Sequence, residues 1–261
     1  MRLKIRHETL YQYETPVTRS IQSIRLRPLN TPQQRVIDWH LSVPGEHWQV
    51  NDGFGNNVTM MTMERNMETL RLVASGTVVL TGKPLTANQG PLAPEVFLRS
   101  TPLTEADAAI IDFARHFGRN KRSLTRLMGE LSKRIVFMPG TTTVNHSASQ
   151  AFAQNAGVCQ DHTHIFLACC RYLGLPARYV SGYVQSDSEY HIATHAWAEV
   201  YLGRNWHTFD VVNNMGVADS HIKLAVGLDY RDAAPVRGMR SGGGTETMST
   251  EARVTITQSD Q

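Results

Sequence analysis

Residues 156–170, "AGVCQDHTHIFLACC", contain all three cysteines of this 261-residue chain. Cys169 and Cys170 end an apolar run and are expected to be buried thiols, whereas Cys159 directly precedes polar residues. Positions 159, 166, 170 and 173 fall along one stripe at helical spacing, which predicts a helix over 159–173. The sequence "GLP" at 174–176 predicts the end of this helix, with glycine as its C-cap and proline beyond it.

Cys159 therefore falls in the first turn of the predicted helix. The unpaired N–H groups and the positive end of the helix dipole stabilise an anion at that end, and a thiolate is such an anion. A free thiol has a pKa of about 8.5, which a helix N-terminus together with a protonated histidine lowers by several units. The position of Cys159 is thus typical of a nucleophile rather than of a structural cysteine.

A thiolate nucleophile needs a base and a group that orients the base, and one predicted hairpin offers both. Residues 194–210, "THAWAEVYLGRNWHTFD", read as strand, turn and strand, with Gly203 and Arg204 in a two-residue type II′ loop. This register places His195 and Asp210 as diagonal neighbours on one face of the hairpin. The opposite face is predicted to be the core face: Ala196, Ala198, Val200, Leu202, Phe209 and Val211.

The first hundred residues are predicted to form strands separated by proline-rich and glycine-rich breaks. This spacing favours a small antiparallel sandwich or barrel, with His7 and His40 expected on strand surfaces. Residues 81–95 carry three prolines and read as a linker. The predicted fold class is α+β, with a sandwich-like N-terminal domain over residues 1–95 and a second domain over residues 96–261.

Helical patterns follow the linker. Thr104 is the predicted N-cap of a first helix, with Asp107 three residues further on. Residues 123–137 repeat apolar side chains at helical spacing, and a polar loop then leads to another short helix. Strand-like segments follow the cysteine helix, which places strands on both sides of the helical region of the chain.

The composition is that of a globular protein, with 41% hydrophobic and 19% charged residues. The formal charge is +3 without a dense run of lysine and arginine, so nucleic-acid binding is not expected. The N-terminus shows neither a signal-peptide-like stretch nor an apolar run that could cross a bilayer. We therefore expect a cytoplasmic protein without a membrane partner, whose three cysteines are thiols rather than a disulfide framework.

Four dispersed motifs, "GVCQDHTH" (157–164), "LGLPARYVSGY" (173–183), "THAWAEVYL" (194–202) and "WHTFD" (206–210), resemble the bacterial transglutaminase-like superfamily of papain-like cysteine enzymes. "LKIRHETLYQYETPV" (3–17) and "DGFGNNV" (52–58) are similar to the β-rich N-terminal region that precedes this core in many bacterial members. "AVGLDYRDAAPVRG" (225–238) is similar to a segment near their C-terminus. The resemblance covers nearly the whole chain.

The resemblance implies a thiol acyl-transfer fold, in which a helix bearing the nucleophile packs on an antiparallel sheet bearing histidine and aspartate. By motif, Cys159 matches the nucleophile, His195 the general base and acid, and Asp210 the orienting carboxylate. The backbone N–H of Cys159 would stabilise the oxyanion, and Gln154 is the candidate for a second donor. The implied partner is a peptide or protein substrate, with an amine as a possible acceptor, and no metal or organic cofactor is required.

The sequence departs from the family pattern at two places. Residues 162–164, His-Thr-His, stand where many members have an aromatic or aliphatic residue followed by Ala-His. Residues 211–212, Val-Val, stand where many have Pro-Thr after the aspartate. Neither departure removes a member of the triad, so both bear on substrate specificity more than on the chemistry.

Residues beside the motifs keep two interpretations each. Asp161 is interpreted as a cap or charge partner near the helix start, in preference to a direct catalytic residue. Tyr183 either lines the site or is an ordinary strand residue. Trp197 is interpreted as a wall beside the triad in preference to a substrate clamp.

The functional alternatives also stay open. His162 and His164 are expected to have structural or rim roles, because a metal site that includes Cys159 and His191 would lack an HExxH or paired CxxC motif. Water as the acyl acceptor would make the protein a peptidase or amidase, and an amine would make it a transglutaminase. Acyl transfer from a thioester donor and a non-catalytic binding module are further alternatives, and exposed strand edges could support a homo-oligomer.

Overall fold

The computed structural model describes residues 1–83, 90–185, 194–216 and 219–257, so that residues 84–89 of the predicted linker, and His191, lie outside it. The strands are β1 (Arg2–Ile24), β2 (Gln34–Ser42), β3 (Glu46–Asn51), β4 (Asn57–Met63), β5 (Met67–Leu80), β6 (Val136–Phe137), β7 (Ala156–Gly157), β8 (Ala177–Val184), β9 (Thr194–Leu202), β10 (Asn205–Phe209), β11 (His221–Gly227), β12 (Val236–Gly242) and β13 (Glu246–Ile256). The helices are a short 3-10 helix (Pro94–Leu98), α1 (Ala108–Ala114), α2 (Lys121–Arg134), α3 (Ala148–Gln154), α4 (Cys159–Tyr172) and α5 (Tyr230–Ala233). Within the described ranges, no helix has the length and apolar character needed to span a membrane.

The first sheet is organised around β1, whose residues alternate between buried and exposed from Leu3 onward, as a half-buried strand requires. The first half of β1 pairs with β5 and β13, and its second half pairs with β4 and β12. The register with β5 is irregular between Gln12 and Val17. One continuous antiparallel sheet results, and both of its halves contribute to a core that includes Leu3, Ile24 and Met61.

The last two strands return to this first sheet. The pairing of β13 with β1 runs from Leu3↔Ile256 to Tyr13↔Glu246, and β12 pairs with the second half of β1. Ala252 and Val254 of β13 are buried in the core of the first sheet. The sequence-based division placed residues 236–256 in the second domain, and in the structure β12 and β13 pair with β1 of the first sheet.

The second sheet is antiparallel, with the strand order β10-β9-β8-β11. Helix α4 packs on one face, where Phe166 and Cys170 share a core cluster with Ala198 of β9. The other face contributes Tyr183 and Ile222 to the core of the first sheet. The second sheet therefore lies between the helices and the first sheet, and the predicted core face of the β9–β10 hairpin is confirmed.

Helix α1 begins later than the sequence predicts. Its N-cap is Asp107, whose side chain accepts a hydrogen bond from the N–H of Ile110. The predicted cap, Thr104, was wrong because this buried residue instead accepts a hydrogen bond at 2.6 Å from Arg171 of α4. Thr104 thereby ties the segment before α1 to the helix that carries Cys159.

Two turns position α4 and the hairpin. Gly174, at φ +72°, follows the C-cap of α4 and stops the helix as predicted. The β9–β10 loop is type I′ and not the predicted type II′, because both Gly203 and Arg204 have positive φ, at 55° and 72°. Type I′ and type II′ loops both have two residues, so the register of the hairpin is as predicted, with Phe209 opposite Ala198.

Candidate active site

Cys159 is the first residue of α4 and is partly buried. The start of the helix is fixed by Asp161, whose carboxylate accepts the N–H of Val158 at 2.7 Å and the hydroxyl of Thr142 at 2.7 Å. A Cβ at residue 157 would lie 2.6 Å from the Cβ of Asp161, so this close approach requires Gly157. Of the two interpretations of Asp161, the structure shows the helix cap.

His195 and Asp210 meet on one face of the hairpin, with His195 Nε2 2.8 Å from Asp210 Oδ2. Asp210 is fully buried, and its backbone forms a bridge with Met215. Its Oδ2 also accepts hydrogen bonds from His221 Nε2 at 2.8 Å and from the side-chain amide of Asn213 at 2.7 Å. Burial alone would raise the pKa of Asp210, but the hydrogen bonds from His195 and His221 outweigh it and hold the pKa well below its ordinary value.

Cys159 and His195 line the same cavity, and Cys159 is close enough to raise the pKa of the imidazole. Because Nε2 of His195 donates to Asp210, its Nδ1 is the nitrogen left for the sulfur. Burial opposes the charged form of His195, but Asp210 and Cys159 outweigh burial and raise its pKa from 6.5 to about 10. A cationic imidazole beside a cysteine at a helix N-terminus is the environment in which reactive cysteines are found.

Trp197 lies two residues after His195 and is buried. Its ring is nearly parallel to the His195 ring, at 24° with centroids 6.3 Å apart, and meets the His221 ring edge-on at 4.9 Å. It also packs with Val180 and Val226. These contacts make Trp197 a wall that sets the position of both imidazoles.

A cavity of about 230 Å³ opens on Cys159 and His195. It is lined by residues of both sheets, of the start of α4 and of the segment from α5 to β12: His7, Thr9, Tyr11, Val158, Cys159, Gln160, Tyr179, Ser181, Thr194, His195, Ala196, Tyr230, Pro235, Val236, Met248 and Thr250. The first sheet supplies His7, Thr9 and Tyr11 from β1 and Met248 and Thr250 from β13. A substrate bound at Cys159 would therefore contact the N-terminal sheet.

His7 is part of this cavity wall and not a strand-surface residue. It is buried, with Nδ1 2.9 Å from the hydroxyl of Tyr183 and Nε2 3.0 Å and 3.1 Å from the hydroxyls of Thr250 and Thr9. Burial lowers its pKa from 6.5 to about 4, so His7 is neutral at pH 7. The prediction for His7 was wrong because β1 turns this side chain toward the second sheet, whereas His40 of β2 is exposed as predicted.

The two other predicted site residues, like Trp197, lie outside the cavity lining. Tyr183 is fully buried in the core of the first sheet, and its hydroxyl contacts the cavity-lining His7. Gln154, the predicted oxyanion donor, is exposed at the end of α3, where its amide donates to the carbonyl of Thr141 at 3.4 Å. Gln154 is thus held away from the Cys159 cavity by the last turn of its own helix.

His195, Asp210 and His221 offer ligand atoms within 4.8 Å of one another, which is a geometry that could hold a metal ion. A histidine that binds a metal through Nε2 normally donates a hydrogen bond from Nδ1. Nδ1 of His221 is buried without a hydrogen-bond partner among the described residues. The cluster therefore fits a hydrogen-bonded carboxylate better than a metal centre.

His162 and His164 are buried in α4 and have structural contacts. The ring nitrogens of His162 lie 2.9 Å from the carbonyls of Val158 and Ile135. Nε2 of His164 accepts the N–H of Tyr230 at 3.1 Å, and burial lowers the pKa of His164 to about 3. Both histidines tie the start of α4 to neighbouring segments.

Sequence reasoning missed His221 and Asn213, which both contact Asp210. Residues 221–227, "HIKLAVG", form β11, a strand-like stretch that carries no motif of its own. The signal that could have found His221 is its place at the start of an apolar strand that follows the predicted catalytic aspartate. Its contact with Asp210 depends on strand order, which the sequence does not display.

A cysteine at a helix tip, packed on an antiparallel sheet that carries a histidine–aspartate pair, defines the class of papain-like folds. Residues 3–79 match the bacterial transglutaminase-like N-terminal region, and residues 112–211 match the transglutaminase-like superfamily. The chain belongs to the transglutaminase-like superfamily and carries this bacterial N-terminal region.

Relatives and a solved structure share nearly the whole chain. The uncharacterized protein ML0607 of Mycobacterium leprae is 28% identical, over 97% of this chain and 98% of its own. The uncharacterized protein Mb2599c of Mycobacterium bovis is 30% identical, over 91% of this chain and 87% of its own. The crystal structure of "a Putative Cysteine Protease from Cytophaga hutchinsonii" superposes with a TM-score of 0.72 at 23% identity, covering 100% of this chain and 92% of that one, which shows a shared fold.

Proposed function

We propose that this protein is a thiol acyl-transfer enzyme with Cys159 as nucleophile, His195 as general base and acid, and Asp210 as orienting carboxylate. The observation that carries the proposal is the hydrogen bond between His195 and the buried Asp210, with Cys159 beside His195 at the edge of the same cavity. These are the three parts that nucleophilic catalysis by a thiol needs: nucleophile, base and a group that orients the base.

The reaction begins when the Cys159 thiolate attacks an amide carbonyl and forms a tetrahedral intermediate. The backbone N–H of Cys159 lies at the free end of α4, where it is available to the developing oxyanion. The imidazolium of His195 then gives its Nδ1 proton to the leaving amine, and the C–N bond breaks. The product is a thioester between Cys159 and the acyl group, which a second nucleophile resolves with His195 as base.

Hydrolysis of amide or peptide bonds is the form of the reaction that we favour. The protein of Cytophaga hutchinsonii that shares the fold is named as a cysteine protease, in the words quoted above. The alternative is transamidation, in which the amine of a second substrate replaces water. The two differ only in the nucleophile that enters after the thioester has formed, and the same triad serves both.

Trapping the acyl-enzyme tests the proposal. The intact protein is incubated with a library of peptides that includes glutaminyl peptides, quenched in acid, digested and analysed by mass spectrometry. The proposal predicts an acyl adduct on the peptide that carries Cys159, and none in Cys159→Ala. An adduct confined to Cys169 or Cys170, or none with any peptide, would overturn it.

Adding a primary amine to the same reaction separates the two forms. A peptidase or amidase releases the free acid, with its product unchanged by the amine. A transglutaminase incorporates the amine into the product. The ratio of the two products at increasing amine concentration therefore decides which acceptor the enzyme uses.

A further inference from the structure

His221 contacts the same oxygen of Asp210 as His195, and nothing in the motifs of the chain assigns it a role. We infer that His221 is a positioning residue that fixes the Asp210 carboxylate, and through it the His195 imidazole. The inference rests on the proposed function, because it concerns how the Cys159 nucleophile is supported. His221 does not touch the reacting atoms and is not itself catalytic.

The tautomers follow from the contacts. An ionised carboxylate has only acceptors, so each histidine that contacts it must donate. Nε2 of His195 and Nε2 of His221 both lie 2.8 Å from Asp210 Oδ2. The Nε2 atom of each histidine therefore carries a proton, and the two imidazoles donate to the same carboxylate oxygen.

His221 differs from the other donors in where it is anchored. Asn213 lies three residues after Asp210 and donates to it from the same turn, at 2.7 Å from its amide and 3.2 Å from its backbone N–H. His221 belongs to β11, where it pairs with Val184 of β8, and its side chain is fully buried. The His221 hydrogen bond therefore ties Asp210 to the sheet rather than to its own turn.

The ring of His221 is itself held in place. It meets Trp197 edge-on at 4.9 Å, and Trp197 in turn lies against His195. The centroids of the two histidine rings are 6.0 Å apart. This packing leaves Nε2 of His221 directed at Asp210, so the donor is pre-organised and loses little conformational entropy in the hydrogen bond.

Loss of this donor leaves a buried carboxylate with one fewer hydrogen bond and freer rotation. A hydrogen bond to a charged group is worth about 1.5–3 kcal/mol, or about 10- to 100-fold in an equilibrium. His195 would then be aligned less well, its imidazolium would be stabilised less, and the thiolate–imidazolium pair would form only at higher pH.

The test measures the rate of Cys159 alkylation by iodoacetamide from pH 4 to 10 on the intact protein, and it needs no substrate. His221→Phe keeps an aromatic ring against Trp197 and removes the donor, and His221→Gln keeps an amide donor. His40→Phe is the matched control, because His40 is an exposed histidine on β2. Alkylation is located by mass spectrometry, and folding is checked by circular dichroism.

At pH 6 we expect Cys159 of H221F to be alkylated about tenfold more slowly than Cys159 of the parent, or slower still. The pH at which the rate is half-maximal should be higher in H221F. The alkylation rate of Cys159 in H221Q should lie within about threefold of the parent rate, and the rate in H40F should equal the parent rate. A parent-like profile for H221F would overturn the role of His221 and leave the proposed function standing. An ordinary free-thiol profile for the parent itself would overturn the proposed function, and this inference with it.

A second measurement needs no substitution. Nitrogen-15 labelling of the histidines, read by NMR, reports which ring nitrogen carries the proton. The inference predicts protonated Nε2 in both His195 and His221. A His221 protonated on Nδ1 alone could not donate to Asp210, and would overturn the inference even if H221F failed to fold.

Discussion

Asp210 is the residue on which the site depends most, because it is fully buried and accepts hydrogen bonds from three side chains. We predict that Asp210→Asn lowers kcat/KM by about 10³- to 10⁴-fold, because a neutral amide does not balance the imidazolium charge and its NH2 group donates where the carboxylate accepts, so the His195 tautomer is lost. Turnover of a peptide identified by acyl-enzyme trapping measures the effect. Asp219→Asn, at an exposed position, is the control, and equal losses in both variants would contradict the prediction.

The raised pKa of His195 gives a second prediction, on stability. The folded pKa is about 10 and the ordinary value is 6.5, so protonation of His195 stabilises the native state fully below pH 6.5. This contribution falls as pH rises from 6.5 and is lost as pH passes about 10. Urea midpoints across this range should therefore decrease with pH.

His195→Gln is the comparison for that measurement, because it removes the titrating group. The decrease between pH 6.5 and 10 should be smaller in this variant than in the parent. An identical pH dependence in the two proteins would show that His195 does not carry the effect. Alkaline ionisation of the tyrosines is common to both proteins and cancels in the comparison.

At the scale of the element, the start of α4 requires residue 157 to lie close to the side chain of Asp161. A Cβ on residue 157 would meet Asp161 at 2.6 Å, so Gly157→Ala must displace the carboxylate that caps the helix. We predict a loss of about 1–3 kcal/mol in the free energy of unfolding and slower alkylation of Cys159. Gly216→Ala is the matched control, because a Cβ there would have no heavy atom of the described residues within 4 Å. An equally large loss in the control would count against the interpretation.

The helices and strands that follow from a local pattern of apolar residues could be predicted from the sequence. The apolar stripe gives α4 and its end at Gly174, and alternation gives the β9–β10 hairpin and hence the His195–Asp210 pair. The predicted type of the hairpin turn was wrong, because Arg204 adopts a positive φ that non-glycine residues rarely take. The register survived because it depends on loop length.

What the sequence does not display is how distant strands pair. His221 reaches Asp210, and β13 reaches β1, through non-local contacts that no local spacing encodes. His7 illustrates the same limit: its strand was predictable, but which sheet face meets the second sheet was not. Gln154 was misplaced because the end of α3 turns it to solvent.

At the scale of the whole molecule, the two sheets share the candidate active site. The cavity on Cys159 has one wall from the N-terminal sheet, including Tyr11 and Met248. Among the described residues, neither side chain forms a hydrogen bond with the triad, so we expect this wall to contact the substrate rather than the nucleophile. The N-terminal region is thus a candidate determinant of specificity.

Met248→Glu tests this arrangement. A carboxylate in the cavity wall should raise KM for a peptide substrate by about tenfold, because a charge must be desolvated beside the bound chain, while alkylation of Cys159 by iodoacetamide stays unchanged. Met239→Glu is the control, since Met239 is exposed and does not line this cavity. The same rise in KM for both variants would indicate a general charge effect rather than contact with the substrate.

The central claim is that Cys159, His195 and Asp210 act as one unit, and the pH profile of Cys159 alkylation tests it most directly. The account predicts that iodoacetamide labels Cys159 ahead of the buried Cys169 and Cys170, at a rate that stays nearly level from pH 6 to 9. Asp210→Asn should lose this plateau. A rate that instead climbs about tenfold per pH unit up to about pH 8.5, as for a free thiol, would contradict the account.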